Sequence, residues 1–211
     1  MNIGSFRLPF FEKETQNVMH QDLEASEIIS NFLLTHIPIK TNIPLILVCI
    51  GTDRSTGDAL GPLVGTKLEQ IDIQNLQVFG TLDEPVHALN LEEKIQNIQK
   101  EYPTAFIIAV DACLGKSQNI GSITTGKGPS KPGAAMNKKL PAVGDLHIHG
   151  IVNLNGFMEF FVLQNTRLSL VMKMADVIAK SIKETDQKLS ALKKSKPSIN
   201  NKMVCFLIFL C

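Results

Sequence analysis

Residues 45–50 read Leu-Ile-Leu-Val-Cys-Ile, an unbroken apolar run closed by Pro44 on one side and Gly51 on the other. A run this short, free of polar alternation, fits a strand covered on both faces, as in a parallel sheet. Residues 105–110, Ala-Phe-Ile-Ile-Ala-Val, repeat the pattern, and 76–79 carry a shorter version of it. Between them the period changes. Leu60, Leu63, Val64 and Leu68 share one helical face over 59–71, where Gly61 and Gly65 would permit close approach to a sheet. Residues 90–102 read as a helix opened by Asn90 with Glu93 three positions on, the pattern of a capping box. Strands alternating with helices predict an α/β chain, a three-layer α/β/α sandwich with a mainly parallel sheet.

The flanks complete this outline. Leu23, Ile28, Ile29, Phe32 and Leu33 predict a helix over 21–35, packed on the domain. Strands are expected at 122–125 and 147–152, and helices at 157–163 and 168–189. Residues 1–192 then make a single domain. Residues 193–211 are expected to be a poorly ordered linker and an apolar tail. Residues 1–21 could be a removable segment, although no cleavage signal marks one.

Composition narrows the function. Lys and Arg number 21 against 20 for Asp and Glu, a formal charge of +1 that offers no broad surface for nucleic acid. With no Trp and one Tyr, platforms for stacking single strands are also missing. Cys49, Cys113, Cys205 and Cys211 show no C-x-x-C spacing, which fits a reducing compartment and argues against a disulfide framework. No secretory signal and no run of the ~20 apolar residues that span a bilayer is apparent, so a cytoplasmic location is expected.

In open α/β sheets ligands bind beyond the carboxyl ends of the strands. Two segments put acids there. Gly51-Thr52-Asp53-Arg54-Ser55-Thr56-Gly57-Asp58 follows the first buried run, and Asp111 follows the third. If the two strands are neighbours, Asp58 and Asp111 converge, and like charge then raises one pKa, leaving an acid and a base around one water. Taken singly, each has a structural use: Asp58 suits a helix N-cap, Asp53 and Ser55 suit a turn, and Asp111 suits a turn after its strand.

Other side chains cluster with these acids. His147 and His149 lie two apart and face the same way in a strand. With Asp58 and Asp111 they form an oxygen and nitrogen set suited to zinc or another divalent ion. His87, in the loop after the second strand, reaches toward the same edge. Arg54 would pair with Asp53 or orient a substrate carbonyl or carboxylate. The Gly-rich stretch 121–133, with Lys127, Ser130 and Lys131, lacks the Gly-Lys-Ser/Thr ending of a phosphate loop and reads as a flexible loop, a lid or a peptide-binding edge. Cys113 reads as a packed thiol.

The run Val48-Cys49-Ile50-Gly51-Thr52-Asp53-Arg54-Ser55-Thr56-Gly57-Asp58-Ala59-Leu60-Gly61-Pro62 resembles the signature of the sporulation protein YyaC family of spore-forming Firmicutes. Residues 81–88, 110–115 and 147–153 fit the same family, and the resemblance spans roughly 43–182. That family is distantly similar to the spore germination protease and to the hydrogenase maturation endopeptidases, which share a phosphorylase/hydrolase-like sandwich. The resemblance implies catalytic aspartates at Asp58 and Asp111. In the germination protease type the pair acts without a cofactor. In the maturation type the matching acids bind a metal with a His, which would make Asp58 and Asp111 ligands of zinc or nickel, with His147 and His149 the candidates for the His. It implies a cytoplasmic peptidase of the sporulating cell acting on a protein or peptide, with Asp53, Arg54, His87 and His149 supporting substrate or the acids. A non-catalytic metal- or peptide-binding module and an amidase or esterase are the alternatives.

Overall fold

A computed structural model of the chain describes residues 15–39, 43–133, 140–156 and 158–194. In chain order the elements are β1 (Thr15–Met19), α1 (Ala25–His36), β2 (Leu45–Cys49), α2 (Leu60–Glu69), β3 (Leu76–Phe79), α3 (Leu91–Glu101), β4 (Phe106–Gly115), β5 (Ser122–Lys127), β6 (Leu146–Leu154), α4 (Glu159–Gln164) and α5 (Leu168–Lys194). The strands form one six-stranded sheet in the order β1-β5-β6-β4-β2-β3. β3, β2, β4 and β6 are parallel neighbours, while β5 runs antiparallel to both β6 and β1. The sheet is mostly parallel and the α/β fold stands as expected.

The apolar runs explain the layers. Along β2, Leu45, Leu47 and Cys49 join one buried cluster with α1, α2 and α5, while Ile46, Val48 and Ile50 join a second with Leu91, Ile95 and Ile98 of α3. Period-two alternation therefore feeds two cores, and the strand needs no polar face. α5 supplies Val171, Met174, Ala175, Ile178, Ile182 and Leu189, a stripe at helical spacing. α1 packs on α5, where Ser26 Oγ donates to Glu184 (3.1 Å) and Thr185 Oγ1 donates to Ser30 Oγ (3.2 Å). Gly61 and Gly65 are required for α2 to sit down on the sheet. A Cβ on either would lie 2.2 Å from the Ile50 carbonyl oxygen or 2.1 Å from that of Gly80.

Several local expectations change. β1 was not foreseen: Thr-Gln-Asn-Val-Met is short and polar, as an edge strand can be. α1 begins at Ala25, so Leu23 is exposed rather than part of the apolar face. The capping box does not form. Asn90 precedes α3 without capping it; instead its Oδ1 accepts the His87 N–H (2.8 Å) and its Nδ2 donates to the Pro85 carbonyl (3.0 Å). α5 continues through Lys194, and the rest of the expected linker and the apolar tail lie outside the described residues. No helix among the described residues is long and apolar enough to cross a membrane.

Candidate functional site

β2 and β4 are hydrogen-bonded neighbours, so the segments that follow their apolar halves emerge side by side. After β2 the chain turns at Gly51, whose φ of 144° and proximity to the Asp58 carbonyl oxygen (1.9 Å from a built Cβ) admit no side chain. Thr52 N–H donates to that same carbonyl (3.2 Å), closing residues 52–58 into a loop. Asp58 does not cap α2, which begins after Ala59 without a side-chain cap. Its carboxyl faces a cavity of about 410 Å³ with Arg54, His87, Leu89, Phe160 and Leu163 also in the lining. His87 is brought there by a bridge that pairs Val86 with Ile50, carrying the β3 edge past the end of the strand. Its Nδ1 accepts the Leu89 N–H (3.3 Å).

Asp111 differs from expectation. It does not follow β4 but lies inside it, since the ladder with β6 runs on to Gly115 and sets Asp111 opposite His149. Ile108 and Val110 face the α5 core, so alternation turns Asp111 to the α3 side, behind Ile107 and Ala109. His147 and His149 share that side, because Leu146 and Ile148 face the α5 core. Their rings stack with centroids 4.3 Å apart.

Ser130 ties this group together. It is buried in the segment after β5, held by reciprocal backbone hydrogen bonds with Val143 (2.8 and 2.9 Å). Its hydroxyl donates to Asp111 Oδ2 (3.3 Å), and His149 Nε2–H donates to its oxygen (2.9 Å). His147 Nδ1–H donates to the Gly128 carbonyl (3.0 Å). The sequence reading of this segment as a free loop therefore fails at Ser130, which is an integral part of the site.

The electrostatics separate the two acids. Burial pushes the Asp58 carboxyl up to about 6, against the opposing pull of the Thr52 amide and of His87. Burial, reinforced by the charge of Asp58, pushes Asp111 up to about 8, although Ser130 and the Ala112 amide hold it down. A second cavity, of about 310 Å³, is lined by Asp111, Cys113, Lys131, Asn155 and Glu159, and it shares Leu163 with the Asp58 cavity. His149 is held neutral, its pKa lowered to about 4 by burial and by His147. Cys113 is pushed upward by burial and by Asp111, which leaves it an inert thiol.

Some expected members stand apart. Asp53 is exposed and accepts a long hydrogen bond from Thr52 Oγ1 (3.5 Å). Among the described residues no ion pair joins it to Arg54, which instead lines the Asp58 cavity. The acids and histidines do not converge as a metal centre: among the described residues no group of three or more His, Cys, Asp or Glu side chains is placed to hold an ion.

A family model described as a protein of unknown function (DUF1256) matches residues 17–181. The protein YyaC of Bacillus subtilis (strain 168), itself uncharacterized, is 53% identical over 176 residues, which is 83% of this chain and 86% of that protein. Among solved structures, the NiFe hydrogenase maturation protease HycI from Thermococcus kodakarensis KOD1 superposes with a TM-score of 0.43 at 16% identity, covering 66% of this chain and 92% of that one. A hydrogenase 3 maturation protease does so with a TM-score of 0.42 at 16% identity, covering 70% and 90%.

Proposed function

The chain belongs to the DUF1256 family, and we propose that it is a hydrolase of peptide bonds in which Asp58 and Asp111 share the handling of one water. The observation that carries this reading is a pair of carboxyls on segments of neighbouring strands, Asp111 buried inside β4 and Asp58 half-buried in the loop after β2, with pKa values raised to about 8 and about 6. Near neutral pH Asp58 is then mostly carboxylate and Asp111 mostly carboxylic acid, the division of labour that acid–base hydrolysis needs.

The step balances without a covalent intermediate. Asp58 removes a proton from water as its oxygen attacks the substrate carbonyl. Asp111 gives its proton to the departing amine nitrogen as the C–N bond breaks. One water is consumed, Asp58 ends protonated and Asp111 ionised, and exchange with solvent restores both. Ser130 then steadies the Asp111 carboxylate through its hydroxyl, with His149 behind it as a neutral donor. Arg54 and His87, in the same cavity as Asp58, would orient the substrate carbonyl. The residues do not fit a metal centre as arranged, so no step is routed through an ion. The setting that the family resemblance of the signature implies is the interior of a sporulating cell.

The test is cleavage of peptide pools followed by mass spectrometry. Asp58→Asn and Asp111→Asn should each lower the rate by ~100-fold or more while remaining folded. The wild-type rate should rise as pH passes about 6 and fall as it passes about 8, values that belong to the coupled pair. Undiminished cleavage by either folded variant refutes the mechanism.

A further inference from the structure

The described residues include nine large apolar side chains exposed to solvent, and two of them meet at one cavity: Phe160 on α4, flanked in sequence by Met158 and Phe161, and Leu89 in the loop before α3. Leu89 is 84% exposed and Phe160 59% exposed, yet both line the cavity that holds Asp58. Apolar groups clustered in water at the mouth of a cleft mark a binding surface. The same lining also holds the polar Thr52, Arg54 and Gln164. A volume of about 410 Å³ is in the class of small-ligand sites, too narrow for a lipid surface or a flat partner face.

The backbone shows how this wall is held out. Met158 adopts a left-handed conformation (φ 62°, ψ 45°) just before α4, a costly arrangement for a residue other than Gly or Asn. The far end of α4 is fastened, since the Leu163 carbonyl accepts the Gly57 N–H (2.9 Å) and the Val162 carbonyl accepts Asn153 Nδ2–H (3.2 Å). The helix is thereby anchored by its apolar Leu163 end and presents its aromatic end at the opening.

We infer that Phe160 and Leu89 form the walls of a specificity pocket, which receives a bulky apolar side chain next to the bond being cleaved in an extended peptide. A peptide has the mixed character of the cavity: an apolar side chain for Phe160, Leu89 and Leu163, and amide groups for Arg54, Gln164 and Thr52. This assignment rests on the hydrolytic reading of Asp58 and Asp111.

The test separates recognition from turnover. Fluorescein-labelled hexapeptide pools, with Phe, Leu, Ala or Asp fixed at one position and the others randomised, are titrated by anisotropy against the full chain carrying Asp58→Asn. The Phe and Leu pools should bind at least ~10-fold more tightly than the Ala and Asp pools. Adding Phe160→Ala with Leu89→Ala should shrink that preference to within about threefold. Both side chains are exposed, so the thermal unfolding of this variant should match that of its parent, and Phe160→Leu with Leu89→Met should keep the preference. Equal binding of all pools, binding of none, or a preference that survives the double Ala change overturns the pocket. If the preference is present but the unaltered chain cleaves no pool, the pocket stands and the hydrolase reading falls. Cleavage without side-chain preference overturns the pocket and leaves the hydrolase.

Discussion

The two faces of β4 make opposite use of the same strand. Toward α5, Ile108 and Val110 are fully buried in a continuous apolar layer with Ile148 and Met174. Toward α3, Ile107 and Ala109 begin an equally apolar layer, but the next residue on that side is Asp111, followed across the ladder by His149. Asp111 is only 7% exposed, bordering a cavity on this face rather than open solvent. An apolar residue would satisfy the packing on either face, so a carboxyl on one of them costs stability.

Reversing the arrangement should give the largest effect. Val110→Asp places a carboxyl in the dry layer with no Ser130 or His149 to receive it, and should cost at least ~4 kcal/mol or prevent folding, as judged by urea denaturation. Asp111→Asn should do the contrary and stabilise the fold by ~1–3 kcal/mol at pH 8, even as it abolishes activity. The sign follows from linkage. A carboxyl raised to about 8 in the folded state, against ~3.9 unfolded, keeps its full contribution below pH ~4 and loses it as pH rises toward about 8. The gain from Asp111→Asn should therefore be greater at pH 8 than at pH 5, and equal gains would show that Asp111 is not desolvated as described.

Two smaller changes sharpen the contrast. Ser130→Ala removes the hydroxyl shared by Asp111 and His149 and should cost ~1 kcal/mol, while the Asp111 carboxyl, followed by carbon-13 NMR titration, moves further upward. Asp58→Asn should move the same carboxyl downward, since a like charge disappears, with stability little changed. An Asp111 titration indifferent to Asp58 would mean that the two acids do not form a pair.

The layout of the central fold was legible because it is written in local pattern. Residues 45–49 and 76–79 announce themselves as strands, and the spacing of Leu60, Val64 and Leu68 announces a helix. The end of β4 was illegible for the same reason: apolar continuity stops at Val110, whereas backbone pairing with β6 continues to Gly115. Hydrogen-bond ladders leave no trace in side-chain hydropathy. Asp58 and Asp111 stood out because an acid after a buried run is conspicuous. Ser130 did not, because its partners are Asp111 and His149, each 19 residues away in sequence, and nothing periodic links them. Phe160 and Leu89 were hidden by the ordinary expectation that large apolar residues belong inside.

The tie between Gly57 N–H and the Leu163 carbonyl has one more implication. It joins the helix carrying Phe160 to the loop carrying Asp58, which is the residue directly after the bonded amide. A push on that helix is therefore passed to Asp58 through the backbone, so the two sides of the cavity are mechanically linked.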